Sequence, residues 1–254
     1  MDYLNTNYDR CHCCNSSCLI IYYPDLALCK DCDTIAAIDR RTTAVYDAAY
    51  VAERYDRYPT TETMSELRCR FVEAGIDLHE FLPDGYREIW HGKLLDVGFG
   101  NGSFIRTASR KGWDAYGCDV NPTEYPGVRR VELPLQVLPV EERYRVITFF
   151  DAIEHFEDLR PLKTLVHNTE WIFISVPLPP PSFPAHRTWK HFRPGEHHYH
   201  FRNPFAFEKL FLTDTREAKI RYIGTPEDAI RKTLADGRDN IQTIGLHCRD
   251  RVTT

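Results

Sequence analysis

The run Leu94-Leu95-Asp96-Val97-Gly98-Phe99-Gly100-Asn101-Gly102-Ser103-Phe104 constrains this chain more than any other stretch. It reads as a buried strand that ends in a glycine-rich turn and enters a helix. Glycine has no Cβ and tolerates φ > 0, so such a turn lets backbone amides approach a nucleotide-like ligand closely. A dinucleotide fingerprint of the form G-x-G-x-x-G would place its third glycine at position 103, where Ser103 stands. The third glycine comes one residue early, which leaves another nucleotide site or a tight turn without ligand as the readings.

A second strand, Trp113 to Cys118, ends in Asp119 a helix's length beyond the glycines. A carboxylate there can accept hydrogen bonds from both hydroxyls of a ribose. It can equally form a turn ahead of Asn121-Pro122.

Further strands are expected at 128–133, 145–151, 171–176, 218–223 and 241–248, with helices over 102–111 and 204–212 and a capped helical start at 225–232. Residues 60–90 carry a helical face of Leu67, Phe71, Ile76, Leu78 and Phe81, broken at Gly75. Strands alternating with helices imply a parallel sheet with right-handed crossovers. A chain of 254 residues accommodates one α/β domain plus a small appendage. No apolar run approaches the length of a membrane span, and the start of the chain lacks the apolar stretch of a signal peptide. A cytoplasmic protein with reduced thiols and no membrane partner is expected. A net charge of −5 speaks against broad nucleic-acid binding, although Arg187, Lys190 and Arg193 form a local basic patch.

Six of the nine cysteines fall between positions 11 and 32. Cys11, Cys14, Cys29 and Cys32 form two C-x-x-C pairs, a spacing that closes a tetrahedron of thiolates around Zn²⁺. Cys13 and Cys18 are spare, and either could replace Cys11 or Cys14. The segment 18–23 reads as a strand leading to the second knuckle, and His12 is expected to face solvent. Four thiolates make a structural staple for a segment too small to own a core.

The D-x-G-x-G-x-G pattern from Asp96 to Gly102, followed by Asp119, resembles the class I S-adenosylmethionine (SAM) dependent methyltransferases. The two-knuckle ribbon and the Tyr-rich segment 46–55 resemble the front end of a bacterial and phage-type subgroup of that family, from about position 11 to about 248. The resemblance implies a doubly wound, Rossmann-like α/β fold with a seven-stranded sheet, mostly parallel, with an antiparallel edge hairpin. It divides the chain into a zinc-ribbon-like segment (1–42), a helical cap or linker (43–90) and a methyltransferase domain (91–254). Asp96, Gly98, Gly100, Gly102, Asp119, Val120, Asp151 and Ala152 would hold the cofactor.

The segment Asp151-Ala152-Ile153-Glu154-His155 resembles the family's motif after the fourth strand, with His155 facing the substrate; otherwise His155 is a helix-start histidine bonded to a carbonyl. Gly195-Glu196-His197-His198-Tyr199-His200-Phe201 resembles its Gly-Glu-His-x-x-x-Phe element near the acceptor. His197 is the leading candidate for a base or acceptor-orienting group, followed by His191 and Tyr199. A metal site built from His191, Glu196 and the other histidines, or a run of solvated loop histidines, are the other readings. The expected function is methylation of a small-molecule, sugar or nucleotide-linked acceptor. The alternatives are a nucleic-acid methyltransferase docking through its ribbon and a non-enzymatic zinc-binding adaptor.

Overall fold

A computed structural model describes residues 10–39, 41, 44–56, 61–80, 92–131, 142–180, 187–224 and 241–251. Its central sheet has six strands among these residues: β4 (Lys93–Val97), β5 (Asp114–Cys118), β6 (Tyr144–Phe150), β7 (Thr169–Pro177), β9 (Arg216–Gly224) and β10 (Ile241–Asp250). Their spatial order is β5-β4-β6-β7-β10-β9. The first four run parallel, whereas β10 lies antiparallel to both β7 and β9. The expected strand at 128–133 is represented by a parallel bridge from Arg130 to Gly117, outside β5. Positions 132 and 133 lie outside the described residues, as do Phe81 and the helical start expected at 225–232.

Period-two alternation sorts the strand residues onto two faces. Leu94, Val146, Trp171 and Phe173 share one apolar cluster with Phe71, Val72 and Ile76 of α2 (Thr61–Glu80) and with Phe104 and Ile105 of α3 (Ser103–Arg110). Their neighbours Leu95, Ile147, Ile172 and Ile174 face the opposite way. There they meet the 3₁₀ segment Arg160–His167, α4 (Ala206–Leu210) and the cysteine-rich region. Strands such as β6 and β7, covered on both sides, therefore read as nearly unbroken apolar runs.

Gly75 does not interrupt the helix as the sequence suggested: α2 runs through it. A Cβ at this position would come within 3.0 Å of Phe173, so the missing side chain brings the helix down onto the sheet.

A second, antiparallel sheet is built from β1 (Leu19–Tyr23), β2 (Leu26–Cys29), β3 (Thr34–Ala37) and β8 (Tyr199–Phe201), in that order. The cysteine-bearing strands and the histidine-rich segment thus share one sheet. Among the described residues no helix is long and apolar enough to cross a membrane.

Candidate active site

The strand order reverses at β4, whose parallel neighbours are β5 on one side and β6 on the other. Crevices of open α/β sheets form beyond the carboxyl ends of the strands at such a switch. Here the loop after β4 carries positive φ at Gly98 (+78°), Gly100 (+58°) and Gly102 (+73°). The Gly98 amide donates to Cys118 O at 2.8 Å, tying the loop to the end of β5. An added Cβ on Gly98 would lie 2.7 Å from Ala152 Cβ, so the loop seats directly against the turn after β6.

Asp119 receives the Gly100 amide on Oδ2 at 2.9 Å and the Asn121 amide on Oδ1 at 2.8 Å. The turn-forming reading of this residue is what these contacts show. It organises its turn, and each carboxylate oxygen keeps a further lone pair. Burial raises its pKa against the opposing pull of those two amides and of Arg130. The Arg130 guanidinium braces the turn by donating to the Asp119 and Asn121 carbonyls. Val120, 66% exposed, offers an apolar side chain at the cavity lining.

Asp96 sits behind this rim. Its carboxylate accepts the Thr148 hydroxyl at 2.6 Å, it is 3% exposed, and it does not line the cavity. Burial pushes its pKa up to about 7, with Thr148 and Arg68 pulling the other way. Gly102, the residue capping α3, also lies outside the cavity lining. Asp151 does line it, at a positive φ of +53° unusual for a non-glycine residue. Three hydrogen bonds hold Asp151 there: Arg68 Nη2 donates to Oδ2 at 2.7 Å, Ser175 Oγ donates to Oδ1 at 3.2 Å, and the Asp151 amide donates to Ser175 O at 3.0 Å. Arg68 also covers the Phe150 ring at 4.7 Å.

The other wall comes from α1 (Ala48–Asp56) with the residues before it, the 3₁₀ turn Ile153–His155, and the histidine-rich segment. Glu196 gathers three partners: Tyr50 Oη at 2.8 Å, Arg54 Nη2 at 3.0 Å and Arg193 Nη1 at 3.0 Å. Burial would raise its pKa, but Tyr50 and the two guanidinium groups outweigh that and hold it below its ordinary value. Tyr46 Oη meets His155 Nδ1 at 3.0 Å, and the His155 and His197 rings cross edge to face at 4.5 Å. Burial lowers the His155 pKa to about 4 and drives that of His197 further down, where its histidine neighbours add to the effect. Both rings are neutral near pH 7. His191 joins the same lining. The two walls enclose one cavity of about 550 Å³.

Tyr199 stands apart from this group. Its hydroxyl meets His12 Nδ1 at 2.8 Å and donates to Glu157 O at 3.1 Å, and the residue does not line the cavity. His12 in turn is 3% exposed and lies 3.1 Å from Asp158, which corrects the expectation that it faces solvent. A knuckle histidine with two polar partners is held inside because those partners replace water.

The four expected sulfurs converge, with Cys11 Sγ 3.6 Å from Cys32 Sγ and Cys14 Sγ 3.5 Å from Cys29 Sγ. Four Zn–S bonds of about 2.3 Å in a tetrahedron require S···S edges of about 3.8 Å, so the set fits the ion with little adjustment. Cys13 instead turns to Ala206 O at 3.0 Å, and Cys18 is exposed.

The motifs did not single out Tyr46, Tyr50 and Arg54, although the spacing of four puts Tyr50 and Arg54 on one face of α1. Met64 and Arg68 carry the same signal on α2.

A family model described as a methyltransferase domain matches residues 67–213, and the chain belongs to that family. No curated protein matches the chain. Among solved structures, the plantazolicin methyltransferase BamL, in complex with a triazolic desmethylPZN analogue and SAH, is similar at 13% identity. That match covers 80% of this chain and 91% of that one, with a TM-score of 0.50, and it shows the same fold. BpumL, another plantazolicin methyltransferase with SAH, matches at 15% identity, 78% and 89% coverage and a TM-score of 0.49. The magnesium protoporphyrin IX methyltransferase ChlM from Synechocystis PCC 6803, with bound SAM, matches at 12% identity, 82% and 88% coverage and a TM-score of 0.43.

Proposed function

We propose that this chain transfers a methyl group from SAM to a small-molecule, sugar or nucleotide-linked acceptor. The observation that carries this reading is the junction of two chemistries in one cavity: the Gly98–Gly100–Asp119 rim and the wall of Tyr46, His155 and His197. Bound SAM supplies a methyl group already activated on a sulfonium, so alignment and exclusion of water are the main tasks left to the protein.

Asp119 has lone pairs left for ribose hydroxyls, and Val120 offers apolar surface to the base. Gly98 and Gly100 bring backbone, with no side chain, to the same rim. Arg68 and Ser175 fix Asp151 along the same rim. His155 and His197 line the acceptor side of the cavity, where neutral imidazoles can orient an acceptor group. Tyr50 and Val51 close the cavity from α1, and Tyr46 does so from the residues before it.

Cys11, Cys14, Cys29 and Cys32 would hold a structural Zn²⁺, since four protein thiolates leave no open position for chemistry. A cytoplasmic location would keep these thiols reduced and ready to bind.

Calorimetric titration with SAM, SAH, NAD and ATP tests the cofactor. Binding confined to SAM and SAH is expected, and binding of another nucleotide with none of SAH would overturn the reading. Incubation with isotopically labelled SAM and separate pools of metabolites and nucleic acid then assigns the acceptor. Label in the nucleic acid alone would move it to the other class.

A further inference from the structure

We propose that Glu154, His155 and His197 form a second metal site, which takes a divalent first-row transition-metal ion and is separate from the four cysteines. One ligand atom from each of the three residues lies within 4.8 Å of the others. Metal–ligand bonds of about 2.1 Å would bring these atoms to about 3.4 Å apart, a contraction of at most about 1.4 Å.

Five features of the geometry favour an ion over a merely buried histidine pair. Two imidazoles and one carboxylate are the donor set that suits such ions, and they leave positions open for water or a further ligand. His155 already has the outer contact a ligating histidine requires. Tyr46 Oη lies 3.0 Å from His155 Nδ1, and in the tautomer that donates Nδ1–H to it Nε2 keeps its lone pair. His197 is 5% exposed, and its Nδ1 makes no hydrogen bond. A buried ring nitrogen in that condition calls for a partner. Glu154, 2% exposed, brings a carboxylate to the same spot. The backbone holds the two segments in register, because the His198 amide donates to Glu154 O at 2.8 Å.

Nearby positive charge does not oppose an ion strongly. Arg54 and Arg193 both pair with Glu196, so their charge is partly spent before it reaches the histidines. The donor set stands without the methyl-transfer reading. Its role, holding an acceptor oxygen at the open positions, rests on that reading.

The test is Co²⁺ uptake by the metal-stripped full chain, with unbound ion removed by gel filtration. About two equivalents are expected: one with the intense sulfur-to-cobalt charge-transfer band of a thiolate site and one without it. Glu154→Gln and His197→Gln should each lose only the second equivalent and keep the thiolate band. That retained band also shows that each variant has folded. SAH titration of the same samples separates the two ideas. Normal SAH binding with a single, thiolate-bound cobalt overturns the second site and leaves the methyltransferase reading intact. Two cobalt equivalents without SAH binding does the reverse. A second equivalent that persists in both variants places the ion elsewhere and also overturns the proposal.

Discussion

Replacing Gly98 by alanine separates two physical reasons for a glycine at the start of the rim. The first is conformational: φ is +78°, and an L-residue there costs about 1–2 kcal/mol. The second is steric. The new Cβ would lie 2.7 Å from Ala152 Cβ, roughly 1 Å inside ordinary carbon–carbon contact. Overpacking of that size costs about 1–3 kcal/mol. Gly98→Ala is therefore expected to lose about 2–5 kcal/mol in urea denaturation. Ala152→Gly on its own should lose about 1–2 kcal/mol, from one buried methyl and the added backbone freedom. In the double variant the clash has no partner, so the two changes should couple favourably by about 1–3 kcal/mol. The φ penalty remains, and the double variant should stay less stable than the parent protein. A coupling energy below about 0.5 kcal/mol would show that the loop does not rest on Ala152, and the steric argument would fail.

Three further outcomes follow from the site. Asp119→Ala removes the acceptor of two turn amides and of the expected ribose contacts, so SAH affinity should fall by about 100-fold or more while zinc content is unchanged. Zinc lost with SAH affinity retained would contradict that separation. Tyr199→Phe leaves His12 and Glu157 O without their hydroxyl partner and should cost about 1–3 kcal/mol of stability, with SAH affinity unaltered in calorimetry. Asp96→Asn should change how stability depends on pH. Burial raises the Asp96 pKa from an ordinary 3.8 to about 7, so the folded state holds its proton across that window. Its contribution is full below pH 4 and is lost as pH rises to 7, a difference of about 4 kcal/mol. The asparagine variant should be flatter between pH 4 and 7 in denaturation curves, and an unchanged slope would show that Asp96 is not protonated by burial.

What was legible in the sequence follows from which patterns are local. The opposed faces of Leu94 and Leu95, or of Ile172 and Phe173, follow from alternation within one strand. The rim was legible because glycine spacing and a strand-ending acid are both short-range signals. Tyr199 was misplaced because the segment reads as a histidine-rich loop. It is a strand, β8, and period two sends Tyr199 and Phe201 into the core beside the cysteine region while His200 packs against Trp189 and Phe192. Asp96 illustrates a different limit. Its type and position suit a ligand contact, but depth behind the strand end is a property of the whole sheet. The pairing of β3 with β8 spans more than 160 residues of sequence, and no local pattern announces it.

That long-range pairing links the cysteine site to the cavity wall. β8 has three residues, too few to persist alone, and it is ordered through β3. The Ala37 amide donates to His198 O at 2.8 Å, and the His198 amide donates to Glu154 O at 2.8 Å. Two backbone hydrogen bonds thus run from the ribbon to the turn that bears Glu154 and His155. Cys13, inside the first knuckle, adds a third tie through Ala206 O. The glycine rim stands on β4 and β5 and shares none of these bonds. Stripping zinc with a strong chelator should therefore raise amide exchange at residues 26–37 and 198–201 first, while 94–97 and 115–118 stay protected. Exchange rising equally at all four segments would mean that the ribbon supports the whole fold, and the proposed route from cysteines to histidines would have to be abandoned.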